Sequence, residues 1–166
     1  TELEIKNEEL RKVRIELKES RSKYSNLFDF APIGYFVLNK KGFITEVNLT
    51  GAVMTGIERK LLLKKHFVIC IDNKEDKDVF SQGCREVFQT GTQKRFDLML
   101  PSTKRGHFPA ELLVEPIFES DKQIRCCRVA VIDVSARQHA ERQVIELAKF
   151  PAENPFPVLR ISKDKT

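Results

Sequence analysis

The sequence predicts an α+β domain with one five-stranded antiparallel sheet and short helices on one face, set between two longer helices. Three observations lead there. Between residues 35 and 134 the apolar pattern reads strand, strand, three short helical pieces, then three strands. Turn residues fall where the period changes, at 31–34, 40–42, 56, 91, 102–106 and 121–122. Finally, residues 2–28 contain no Gly or Pro, and a β-branched stretch ending at 134 runs straight into a helical pattern at Ser135.

The first 28 residues read as one amphipathic helix. Leu3, Leu10, Leu17 and Tyr24 recur every seven positions, with Val13 and Leu27 as companions and charges such as Glu8, Glu9, Arg11, Lys12 and Arg14 between. Lys6 and Ser20 occupy two companion positions, so the seam is imperfect. An isolated helix of this length is marginal in water and needs a partner. Two remain open: a second chain in a parallel coiled coil, making a homodimer, or the helix's own domain.

Ala31-Pro32-Ile33-Gly34 breaks that helix. Residues 35–39 and 43–47 form a hairpin around Lys40-Lys41-Gly42. Asn48 can cap a helix over 49–55, which Gly56 closes. A short helical piece follows at 58–65. Asp72 and Glu75 open a longer helix through 89, with Val79, Phe80, Cys84, Val87 and Phe88 on one stripe and Gly91 after it. In the strand at 92–100, Phe96, Leu98 and Leu100 share a face. In the next, Phe108, Ala110, Leu112 and Val114 lie opposite Glu111, Leu113 and Glu115. The last strand, 124–134, is apolar on both faces except at Arg125, Arg128 and Asp133, so it is buried and its outer residues Ala130 and Ile132 need a cover, which the first helix could supply. Ser135 and Gln138 spell a capping box for the outgoing helix, whose apolar stripe is Ala136, Ala140, Val144 and Leu147.

Composition narrows the function classes. A 41% apolar fraction with 12 Phe is enough for a core in a chain of 166 residues. The 29 basic and 24 acidic residues are interspersed, without the basic arm and interleaved aromatics of a nucleic-acid surface. No apolar run reaches the roughly 20 residues of a membrane span. Cys70, Cys84, Cys126 and Cys127 lack metal or haem-attachment spacing and read as reduced, small apolar residues of a cytoplasmic protein; Cys126 and Cys127 point to opposite faces. The beginning at Thr1 and the end at Thr166 read as those of a fragment of a longer protein.

Several stretches, taken in order, resemble the PAS family of sensory domains over about residues 23–139. They are Leu27-Phe28-Asp29-Phe30-Ala31-Pro32-Ile33-Gly34, Asn39-Lys40-Lys41-Gly42-Phe43-Ile44, Asn48, Gly56, Glu86-Val87-Phe88-Gln89-Thr90-Gly91 and Asp133-Val134-Ser135. Asn39 stands where many members carry Asp, and Asp133-Val134-Ser135 where the family has Asp-Ile-Thr. The resemblance implies a sensor or relay module of a bacterial- or archaeal-type signalling protein of the two-component, sensor histidine kinase kind. It implies no catalysis in this segment and places downstream signalling domains in the same chain. The expected limits are a helix at 1–28, the PAS domain at 29–135 and an exit helix at 136–150. Residues 151–166 are either a linker or the start of a second PAS-like domain, and Pro151, Pro155 and Pro157 predict that the exit helix ends near Phe150.

The resemblance also implies a pocket between sheet and helices. Its expected lining is Phe36, Leu38, Val53, Phe67, Phe80, Cys84, Val87, Phe96, Leu98, Leu112, Val129 and Val131. That lining lacks the few directing polar groups of an ordinary ligand site. Two readings stay open, a filled core and a small apolar ligand. Haem is disfavoured because residues 73–90 contain no His. Flavin is disfavoured because Cys70 lacks the photoadduct motif and because Ala110, Leu112 and Val131 replace the polar flavin-reading positions. His66 reads as a lone, satisfied histidine and no metal site is expected; the surroundings of His139 do not resemble a phospho-acceptor motif. No catalytic constellation appears, and Glu111 and Glu115 read as solvated. Signal output is expected at Asp133, Val134 and Ser135. There the Asp133 carboxylate favours the start of the exit helix and can pair with a base such as Arg137.

Overall fold

A computed structural model describes residues 1–153 of the chain, with side chains through Lys149. It divides into two units, Thr1–Asp133 and the part beginning at Val134. The first unit opens with α1 (Glu2–Asp29), followed by β1 (Gly34–Leu38), β2 (Ile44–Val47), α2 (Leu49–Thr55) and α3 (Arg59–Leu62). A 3-10 turn over Phe67–Cys70 leads to α4 (Lys74–Thr90), and β3 (Lys94–Ser102), β4 (Gly106–Phe118) and β5 (Ile124–Asp133) complete it. The second unit contains α5 (Ser135–Glu153).

The five strands lie in the order β2-β1-β5-β4-β3, antiparallel throughout. The last strand is therefore central, between β1 and β4. Its inner face is covered by the helices, whereas on the outer face only Ala130 is buried and Cys126, Arg128 and Ile132 keep some exposure. The strand is thus buried on one side and not, as its apolarity predicts, on both. Its inward residues Cys127, Val129 and Val131 register with Leu38, Phe36 and Gly34 on one side and Pro116, Val114 and Leu112 on the other.

The core lies between this face and α2, α3, the 3-10 turn and α4. Its centre is aromatic. Phe36 meets Phe67 edge-on at 5.0 Å, Phe67 stacks on Phe80 at 4.8 Å, and Phe80 tilts against Phe96 at 5.5 Å. Each such pair adds about 0.5–1.5 kcal/mol beyond the area it buries. The column needs α4 close to β3, and Gly83 permits it: a Cβ there would collide with the Phe96 ring. Gly56 closes α2 in the left-handed region at φ 69°, where a side chain would also strike Thr103.

Several boundaries differ from the sequence reading. The helix expected at 58–65 shortens to Arg59–Leu62, because Lys64 turns to φ 63° and its amide and that of Ile44 join the two segments (Lys64 N to Ile44 O and Ile44 N to Lys65 O, both 2.8 Å). The cap of α4 is Asn73, whose Oδ1 accepts from Glu75 N, and not Asp72, which meets His107. Val79 is exposed, one step off the buried stripe of α4. The helix α5 passes Phe150 and Pro151 to Glu153. A proline ring sets a helix-compatible φ and forfeits one hydrogen bond, so a single Pro need not stop the last turn. The linker or second domain expected at 151–166 lies, from residue 154 on, outside the described residues.

Phe67 touches both neighbours in the aromatic column, so Phe67→Ala is expected to lower stability by about 3–5 kcal/mol. A urea titration would show this as a lower midpoint at unchanged slope, and a loss below about 1 kcal/mol would mean that the column is not the centre of the core.

Candidate functional site

The first candidate site is the joint where α1 meets the domain. A helix end leaves its last carbonyls open, and a helix start leaves its first amides open. Here one side chain serves both. Asn48, fully buried, accepts from Gly51 N at 2.8 Å and so caps α2. Its Nδ2 donates to Phe28 O at 2.8 Å, in the last turn of α1, and to Ile33 O at 2.9 Å. Its Oδ1 also accepts from Tyr35 N at 2.8 Å, at the start of β1. Both donors and both acceptor positions of the amide are thus used, and the joint contains no unsatisfied buried side-chain polar atom.

Asp29 reinforces the joint from the α1 side. Its Oδ1 accepts from Leu49 N at 3.2 Å and from Arg59 Nη1 at 3.1 Å, while Thr50 Oγ1 donates to Ala31 O at 2.6 Å. On the outer face of the sheet, Tyr24 stacks on Phe28 at 5.7 Å and Phe28 on Tyr35 at 6.2 Å. The Arg128 guanidinium lies 5.6 Å over the Tyr35 ring and is bonded to Glu115 at 2.6 Å. A stacked column therefore runs from α1 through β1 to β5 and β4.

The rest of α1 stands free. Leu3, Leu10, Val13, Leu17, Tyr24 and Leu27 are 61 to 77% exposed, and the helix buries no residue against its own domain. The folded-back arrangement is therefore not adopted. Nor does α1 cover the outer face of β5: Ala130 is sheltered by its register neighbours Tyr35 and Leu113 instead. Tertiary packing holds only the last turns of α1.

The second candidate is the inner pocket. Phe36, Leu38, Phe67, Phe80, Cys84, Val87, Leu98, Leu112, Val129 and Val131 are buried in the core, and Phe96 packs against it. Val53 is a correction. It is 54% exposed, because the seven-residue α2 buries Gly51, Ala52 and Thr55 and turns Val53 outward. The aromatic column occupies the middle of the space where the lining was expected to converge. What is left is a cavity of about 210 Å³ beside it. Leu38, Phe80, Cys84 and Cys127 supply its buried wall, with Lys40, Lys41, Arg85 and His66 toward the surface. Ligand pockets usually span about 300–1,000 Å³. A larger concavity, about 860 Å³ along Thr1, Ile5 and Leu10, is an open face of α1.

Chemistry in this cavity is limited. The neighbouring Cys84 thiol, together with burial, pushes the Cys127 pKa up. Outside the cavity lining, burial in the core pushes the Cys70 thiol up to about 12. Such thiols are poor nucleophiles. The Cys84–Cys127 contact escaped the sequence reading because it joins a helix to a strand with no spacing signature. His66 accepts weakly from Val68 N at 3.4 Å and packs edge-on against Phe43. Glu111 and Glu115, read as solvated, are ion-paired with Arg95 and Arg128. No group of three metal-ligating side chains occurs among the described residues, and no described helix is long and apolar enough to cross a membrane.

The third candidate is the output junction. Asp133 ends the first unit, and Val134 and Ser135 begin the second. The Asp133 carboxylate accepts from Arg105 Nη2 at 2.8 Å, a partner on the β3–β4 turn that sequence spacing did not reveal. Within α5, Gln138 N donates to Val134 O at 2.9 Å, and Val144 and Leu147 are exposed.

A central antiparallel sheet with short helices over one face and an apolar core define an α+β sheet-and-helix module. Residues 32–136 match the family model of the PAS domain, so the chain belongs to the PAS domain family, whose members are generally non-catalytic sensory modules. Among solved structures it is similar to the PAS domain of an HTR-like protein from Haloarcula marismortui (TM-score 0.61, 18% identity, 74% of this chain and 98% of that one). It is also similar to the PAS domain of BvgS from Bordetella pertussis (0.58, 15%, 80% and 98%). A PAS domain from a two-component sensor histidine kinase matches at 0.56 and 20% identity, over 70% and 97%. No curated protein sequence matches the chain.

The Cys70 shift has a pH consequence. A thiol whose folded pKa is raised stabilises the fold below its unfolded pKa, near 9.0, and that stability is lost as pH rises toward about 12. Denaturant titrations from pH 8 to 11 should show stability falling more steeply for the native protein than for Cys70→Ala, by up to about one proton's slope, or 1.4 kcal/mol per pH unit. Equal slopes would contradict the burial assigned to this thiol.

Proposed function

We propose that this chain is a cytoplasmic relay and dimerisation module of a multidomain signal-transduction protein of the two-component, histidine kinase kind. Input arrives through α1, and output leaves through β5 into α5. One observation carries the reading: Asn48 locks the last turn of α1 to both β1 and α2. A rotation or shift of α1 therefore has to move β1 or break buried hydrogen bonds, which cost about 1–3 kcal/mol each when left unmade. From β1 the displacement reaches β5, its neighbour in the sheet, and β5 continues covalently through Asp133 into α5.

The filled aromatic core supports input through the helix over input through a large ligand. It equally favours the second reading, a passive dimerisation scaffold that senses nothing. A small apolar molecule is the remaining input, and it would have to fit the cavity beside Phe80 and Cys84.

The two readings separate in a chimera that places residues 1–153 ahead of a histidine kinase catalytic core. Inserting four residues into α1 turns its seam by about a tenth of a turn and one heptad-breaking step, whereas seven residues restore the seam. Autophosphorylation is expected to change with four and return with seven, and Asp133→Ala is expected to abolish that response while costing the fold only about 1 kcal/mol. Output that ignores the four-residue insertion would favour the scaffold. Output that still responds in Asp133→Ala would remove this residue from the relay.

A further inference from the structure

The exposed seam of α1 has one permitted heptad assignment. Leu10 to Val13 is a step of three and Val13 to Leu17 a step of four, so Leu3, Leu10, Leu17 and Tyr24 take position a. Lys6, Val13, Ser20 and Leu27 then take d. The flanking positions follow. Position g holds Glu9 and Glu16, and position e holds Arg14 and Arg21. Acids line one flank of the middle of the seam and bases the other.

That sorting discriminates between orientations. In a parallel, in-register pair, g of one helix faces e of the next heptad on the other. Glu9 then meets Arg14 of the second copy, Glu16 meets Arg21, and symmetry repeats both pairs. In an antiparallel pair g faces g and e faces e, so Glu would meet Glu and Arg would meet Arg. Among the described residues none of these four side chains makes an ion pair within its own chain.

We propose that the seam of α1 is covered by a second copy of this chain running parallel and in register, with Glu9–Arg14 and Glu16–Arg21 pairs between the copies setting the orientation. This rests on the dimerisation reading above and adds orientation and register to it. Lys6 and Ser20 at d weaken the seam, and polar residues at seam positions are a known device for fixing register at the expense of stability. The last e position is Phe28, which stacks between Tyr24 and Tyr35 and hands the seam over to the sheet. Parallel copies present their two joints on the same end of the coil, where a symmetric input reaches both sheets alike.

Sedimentation equilibrium at low salt tests this with the full chain. The pair Glu9→Arg and Glu16→Arg replaces one good helix former by another, so α1 should keep its helicity by circular dichroism. In the parallel arrangement it turns every g–e contact repulsive, and the dimer Kd is expected to rise about tenfold or more. Mixing this variant with one carrying Arg14→Glu and Arg21→Glu is expected to restore dimers as heterodimers. An unchanged Kd in Glu9→Arg with Glu16→Arg would overturn the parallel arrangement while leaving dimerisation standing, because an antiparallel pair exchanges one repulsion for another. A monomeric native chain would overturn the dimerisation reading as well.

Discussion

The structure depends on one side-chain amide. A helix that leaves a domain at a Pro-containing turn strands its last carbonyls, and the helix that begins nearby strands its first amides. Asn48 answers both by placing its donors on Phe28 O and Ile33 O and its carbonyl oxygen on Tyr35 N and Gly51 N. These bonds form at a fully buried residue, where water cannot substitute for a lost partner. The consequence is mechanical. The last turn of α1, the first residue pairs of β1 and the first turn of α2 are held as one piece, although no residue of α1 is itself buried.

Around that joint, the core and the surface make opposite choices. The core fills itself with rings, Phe36 through Phe96, and leaves a cavity too small for a typical ligand. The surface of α1 does the reverse and holds eight large apolar residues in water over most of its length. The interior is thus closed within one chain, whereas the apolar stripe of α1 stays uncovered by its own domain. The stacked column Tyr24–Phe28–Tyr35 with Arg128 gives the same helix a second, weaker grip on β1 and β5.

Much of this was legible in the sequence, and the reasons for what was not are physical. Local periodicity carried the order of strands and helices, the extent of α2 and the closure by Gly56, because each follows from a few neighbouring residues. Asn48 was readable as a cap for the same reason. Its two donor bonds were not, since they reach carbonyls 15 and 20 residues away that are open only because the chain turns at Pro32. Val53 was misplaced because a helix of two turns fixes no stripe. The Asp133–Arg105 and Cys84–Cys127 contacts depend on strand register and helix packing, which spacing does not encode.

The central claim is that Asn48 couples α1 to the sheet and is more than a helix cap. Native-state hydrogen exchange of Asn48→Ala tests it most directly. The account predicts faster exchange together at Tyr35, at Gly51 and through the last turn of α1, with about 3 kcal/mol lost overall. Faster exchange confined to Gly51, with the roughly 1 kcal/mol loss of an ordinary N-cap, would contradict it.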